Sequence, residues 1–69
     1  MWMYDHTVLR TLREQQGRSR REVCAADKLD ITQHTLMGWE MGKKAPRADY
    51  LALLATVYEV TVESFFKQK

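Results

Sequence analysis

Apolar positions recur along this chain at the three- and four-residue spacing of helices, and the pattern divides it into five segments. An apolar tetrad, Met1, Trp2, Met3 and Tyr4, stands in front of the first. There Val8, Leu9, Leu12 and then Arg13 follow until Gly17, a residue suited to the position just past a helix end. Asp5, or the pair His6 and Thr7, can cap this helix. Ser19 and Glu22 have the spacing of a capping box, in which each side chain accepts from the backbone N–H of the other end of the turn. A second helix therefore opens at Arg20 and buries Val23 with Cys24 or Ala26.

The third segment, residues 32–40, organises the rest. As a short helix capped by Thr32, it places Leu36 and Trp39 on one face and Gln33, His34, Met37 and Gly38 on the other. One face packs and the other is free to read. Residues 27–30 are the connection from the second helix to the third, or the frayed end of the second helix followed by a turn, with Leu29 or Ile31, or both, expected to plug the space between the helices. No glycine marks that turn. A basic loop at 42–47 leads into a fourth segment with Leu51, Leu54, Ala55 and Tyr58 at helical spacing and Leu53 and Val57 beside them. So apolar a helix is buried on more than one side. Thr61 is placed to cap a last short helix, with Val62 and one of Phe65 or Phe66 turned inward. There is no strand signal, repeat or low-complexity tract. The expectation is one all-α domain over 1–69, a compact five-helix fold in which residues 1–6 are an apolar extension.

Sixty-nine residues supply a single small core, and a chain of this size buries only about 60% of its unfolded surface. A partner subunit would add to that. The net charge is only +2, but residues 1–47 hold nine Lys and Arg against six Asp and Glu, whereas 48–69 hold two against three. The basic excess lies with the third helix and favours a polyanion. The single cysteine, Cys24, cannot form an internal disulfide and fits a reducing cytoplasm. His6 and His34 lie at no metal spacing, so Cys24 reads as core and no metal or cofactor is expected. No apolar run approaches membrane-spanning length and no signal peptide is evident, so the expected location is cytoplasmic, without membrane association. Paired carboxylates, a nucleophile with its base and a phosphate loop are all missing from the pattern, which argues against an enzyme.

Taken in register, Leu9 with Leu12 and Arg13, Gly17 with Ser19, the 32–40 helix, Gly42 and Lys43 with Pro46, and Val60, Thr61 and Val62 leading to Phe65 resemble the Cro/C1-type helix-turn-helix domain. This is the lambda-repressor-like fold of phage repressors and xenobiotic-response-element-like regulators. The resemblance covers residues 8–66. It implies a phage- or bacterium-encoded regulator that binds double-stranded DNA by setting the third helix in a major groove, with no small-molecule ligand. It also assigns roles by position. Gln33, His34, Met37 and Gly38 stand at base-reading positions, Thr35 and Arg20 at backbone-contacting ones, and Arg13 and Glu40 at a buried structural ion pair. The chain departs from the family pattern in a connection about two residues longer between Val23 and Ile31, in Gly38 where a long polar side chain is common, and in Arg47 where a small cap is usual.

Chemistry supports a division of labour. Arg18, Arg20, Arg21, Lys43, Lys44 and Arg47 flank the third helix, where they can clamp phosphates and release counterions; any one alone could be a solvated surface charge. Gln33 can make a bidentate pair with adenine, His34 can donate to guanine, and Met37 can cover a thymine methyl. One monomer reads about half a site, so a two-fold homodimer on a two-fold operator is expected, with Trp2, Tyr4, Val62 and Phe66 as the candidate dimer surface or else as closure of the core. The leading reading is a repressor acting by promoter occupancy. The alternative is an antitoxin or adaptor whose aromatic ends bind a protein and whose helix-turn-helix serves autoregulation or folding.

Overall fold

The computed structural model describes residues 1–26 and 29–68. In chain order these form strand β1 (Trp2–Tyr4), helices α1 (His6–Gln15), α2 (Arg20–Ala25), α3 (Gln33–Glu40) and α4 (Ala48–Tyr58), a 3-10 turn (Val62–Phe65) and strand β2 (Phe66–Gln68). Four α-helices and one strand pair thus replace the expected five helices. The correction falls at the two ends of the chain. Val62–Phe65 winds as a single 3-10 turn, and Phe66 then leaves it in extended conformation. Strands β1 and β2 pair antiparallel, Trp2 opposite Gln68, Met3 opposite Lys67 and Tyr4 opposite Phe66. The tetrad before α1 is therefore half of a ribbon, whose backbone groups find partners only across the chain. Neither three-residue strand carries a periodic signal by itself.

Local signals set the helix starts. The Asp5 side chain accepts from the Thr7 backbone N–H, Ser19 and Glu22 form the full capping box, and Thr32 accepts from the Thr35 N–H. Thr61 occupies the cap position of the 3-10 turn but makes no capping bond there; its hydroxyl lies 3.2 Å from that of Ser64 instead. Gly17 closes α1 with φ +66°. Among the described residues, two that are not glycine take the same left-handed region: Glu59 ends α4, and Asp30 makes the turn before α3 that lacks a glycine. Aspartate is among the few residues that tolerate this region, because its short side chain can bond locally. Of the expected connection, Asp27 and Lys28 lie outside the described residues. Leu29 is fully buried and Ile31 half-buried.

The core gathers Leu9 from α1, Val23 and Cys24 from α2, Leu29, Leu36 and Trp39 around α3, and Leu51, Leu54, Ala55, Val57 and Tyr58 from α4, with Phe65 closing one end. Helix α4 buries five of its eleven residues, as its unbroken apolar run requires. Tyr4, Val8, Leu12 and Phe66 pack around this centre. No helix among the described residues is long and apolar enough to cross a membrane.

Candidate nucleic-acid interface

Helix α3 is held by its inner face and by its C-terminal end. Leu36, Trp39 and Glu40 are buried, whereas Gln33 and His34 are exposed and Met37 and Gly38 half-exposed. The four candidate readers share the outward face, and Met41 extends the same stripe at 55% exposure. A helix end leaves its last carbonyls without partners. Here Tyr4 Oη donates to the Trp39 carbonyl at 3.1 Å and His6 Nδ1 donates to the Glu40 carbonyl at 2.9 Å. The Lys43 N–H returns to the Gly38 carbonyl at 3.0 Å. Gly42 continues the chain at φ +78°, and a Cβ there would come within 2.7 Å of the His6 ring. Glycine is required at 42 both by conformation and by space.

The Glu40 carboxylate fixes the same helix from below. It is 4% exposed and accepts from Arg13 Nε at 2.8 Å, Arg13 Nη2 at 3.4 Å and Arg20 Nε at 3.0 Å. One buried acid thus joins α1, α2 and α3, and two guanidinium groups neutralise it. The hydrogen bond from Arg13 to Glu40, with the charge of that carboxylate, raises the already high pKa of Arg13 further. Arg20, expected at a phosphate, has a side chain that is one-third exposed and bonded to Glu40. Arg18 likewise bonds inward, Nη1 donating to the Val57 carbonyl at 2.8 Å, beside Gln16 Nε2 on the Tyr58 carbonyl at 3.0 Å. Both serve the orphan carbonyls that end α4.

Other cations stay outside. Lys43, Lys44 and Arg21 are exposed, and among the described residues none of them has an acidic side chain within ion-pair distance. Arg47 is exposed, 3.2 Å from Asp49, and its guanidinium lies 5.1 Å over the Tyr50 ring, which in turn packs on Trp39 at 5.4 Å. That stack links the basic loop to α3. Thr35 is half-buried, its hydroxyl 2.9 Å from that of Thr32. Trp2, Val62 and Phe66 line a shallow apolar groove with Glu63, and Trp2 is 62% exposed. Tyr4 does not belong with them. Its hydroxyl is spent on α3, its ring meets Phe66 edge-on at 6.3 Å, and burial pushes its pKa up. Among the described residues no group of three or more His, Cys, Asp or Glu is placed to hold a metal.

Sequence reasoning missed Tyr4 and His6 as supports of α3. A tyrosine and a histidine 35 and 34 residues away from their acceptors leave no local trace. With Gln33, His34, Met37 and Gly38 turned outward on the second helix of a paired unit that packs on a small core, the fold defines a helix-turn-helix domain. The helix-turn-helix family model matches residues 9–65, most of the chain, and the protein belongs to that family, of the Cro/C1 type. Among solved structures, it is similar to the S. venezulae BldD DNA-binding domain, with a TM-score of 0.76 and 29% identity over 90% of each chain. A comparison with curated proteins found no match.

Proposed function

We propose that this protein is a transcriptional regulator that binds double-stranded DNA sequence-specifically, setting α3 in a major groove, and that it represses by occupying a promoter. One observation carries the reading. The outward face of α3 presents Gln33 and His34 exposed, while Lys43 and Lys44 stand beside it with no acidic side chain within ion-pair distance among the described residues. Family membership and the likeness to a DNA-binding domain support the same polyanion.

The labour then divides among the named residues. Lys43, Lys44, Arg21 and Arg47 hold phosphates and supply affinity that falls with salt; Arg18 and Arg20 do so only beyond the internal bonds they already make. Gln33 reads adenine through its amide, and His34 donates to guanine. The Thr32 cap and the grip on the Trp39 and Glu40 carbonyls keep both readers in fixed register. Two copies related by a two-fold axis read half-sites one helical turn apart.

The test is salt-titrated binding to a randomised duplex pool, with a Gln33→Ala, His34→Ala double variant beside the wild type. The wild type should select a two-fold consensus, and the double variant should lose that preference while keeping the salt slope. If both bind every duplex alike, α3 does not read bases. The exposed Trp2 favours one other reading, an antitoxin or adaptor that docks a protein partner. Capture of a defined partner without measurable DNA affinity would establish it.

A further inference from the structure

Gly38 sits in the middle of α3, where glycine destabilises a helix by roughly 1 kcal/mol relative to alanine. The fold gives no reason for it. Its φ is not in the left-handed region, and a Cβ built there meets nothing within 4 Å. Its contrast with Gly42 is complete, since that glycine is forced both by φ +78° and by the His6 ring. The space left open at Gly38 belongs to a groove of about 230 Å³ between α3 and the basic loop, lined by His34, Met37, Trp39 and Met41, with Lys43 and Lys44 on one side. That volume lies below the ~300–1,000 Å³ typical of sites that enclose a small ligand. It suits the edge of something larger.

We propose that this groove receives the methyl edge of a thymine, with Gly38 left bare to make room for it. The inference rests on the proposed reading of DNA by α3 and names what one part of that surface recognises. Two features select the occupant. The lining is mainly apolar, and the 5-methyl of thymine is the one apolar group that a base pair presents in the major groove. The two lysines beside it are uncompensated by any described acid, which suits the phosphates that flank a base and not an apolar peptide. Met37 and Met41 have the unbranched, polarizable side chains that close over an irregular apolar group.

The experiment uses duplexes selected by the wild type from the randomised pool, resynthesised with uracil in place of thymine one position at a time, and a Gly38→Leu variant. At one position in each half-site, uracil should weaken wild-type binding roughly fourfold, the factor expected for one buried methyl. Gly38→Leu fills the groove from a half-exposed helical position, where a Cβ meets nothing within 4 Å, with a better helix former, so thermal unfolding should show it folded and no less stable. It should bind the consensus more weakly and treat thymine and uracil alike at that position. Wild-type indifference to uracil at every position overturns the proposal, as does a Gly38→Leu variant that still discriminates. If uracil is tolerated everywhere while Gly38→Leu weakens all duplexes equally, the occupant is the sugar–phosphate backbone and the proposal is wrong, although α3 still meets DNA. Failure of the wild type to bind any duplex overturns the underlying reading as well.

Discussion

Tyr58 contains the clearest conflict at the scale of a single residue. Its side chain is 1% exposed, and among the described residues its hydroxyl has no hydrogen-bond partner. Burial, reinforced by the negative charge of Glu40, raises its pKa from 10.0 to about 12. The unfolded chain therefore releases this proton near pH 10 while the folded chain keeps it, and stability falls as pH rises through that window. Removing the hydroxyl removes an unsatisfied group without opening a cavity. Tyr58→Phe should match or exceed the wild type at neutral pH, within about 1 kcal/mol by urea unfolding, and should lose less stability between pH 10 and 12. Tyr4, also raised by burial, has the same sign and leaves a residual loss. A neutral-pH loss above about 2 kcal/mol would mean that the hydroxyl is bonded after all.

At the scale of elements, three helices meet on one carboxylate. Glu40→Ala leaves Arg13, whose side chain is only 11% exposed, without its counter-charge. Breaking a buried pair from one side costs about 3–5 kcal/mol, a large part of what a domain this small can supply. Urea denaturation should show a loss of that order. Arg20→Ala should cost clearly less, because Arg20 is 33% exposed and Glu40 retains Arg13. Equal losses would mean that the two arginines are equivalent supports and that exposure does not rank them. Helix placement depends on such long-range bonds as much as on caps. The capping box at Ser19 and Glu22 starts α2, while the Glu40 carboxylate bonds both α1 and α2 to the helix that presents Gln33 and His34.

The whole molecule measures 32 × 23 × 22 Å across its Cα atoms, about the length of one turn of duplex along its longest axis. For the two-fold pair proposed above, the candidate contact is the ribbon, which presents Trp2 and Met3, 62% and 42% exposed, with Val62 and Phe66 lining the groove beside Trp2. Trp2→Ser should weaken self-association in sedimentation with operator DNA while leaving binding to an isolated half-site within about twofold, since Trp2 lines a groove with Val62, Glu63 and Phe66 that shares no lining residue with the groove beside α3. A monomer on operator DNA in the wild type would remove the dimer from the proposal. Tyr4, turned inward, is a stability residue in this comparison.

Local pattern alone was enough for the four α-helices, for the caps at Ser19 and Thr32, for Asp5 or the pair His6 and Thr7 as the cap of α1, for the burial of Leu36 and Trp39, and for the outward face of Gln33, His34, Met37 and Gly38. Each is a matter of local spacing, because a helix bonds to itself and shows its faces through its own period. The rest depends on contacts between residues far apart in the chain. Two three-residue strands exist because residues 2–4 and 66–68 find each other, which no local pattern records. Arg18 and Arg20, read from their charge as phosphate clamps, are bonded to Val57 and Glu40, because a buried carbonyl or carboxylate must be satisfied and an arginine was within reach. Composition states which side chains carry charge. Where that charge is used depends on which unsatisfied groups the fold brings beside it.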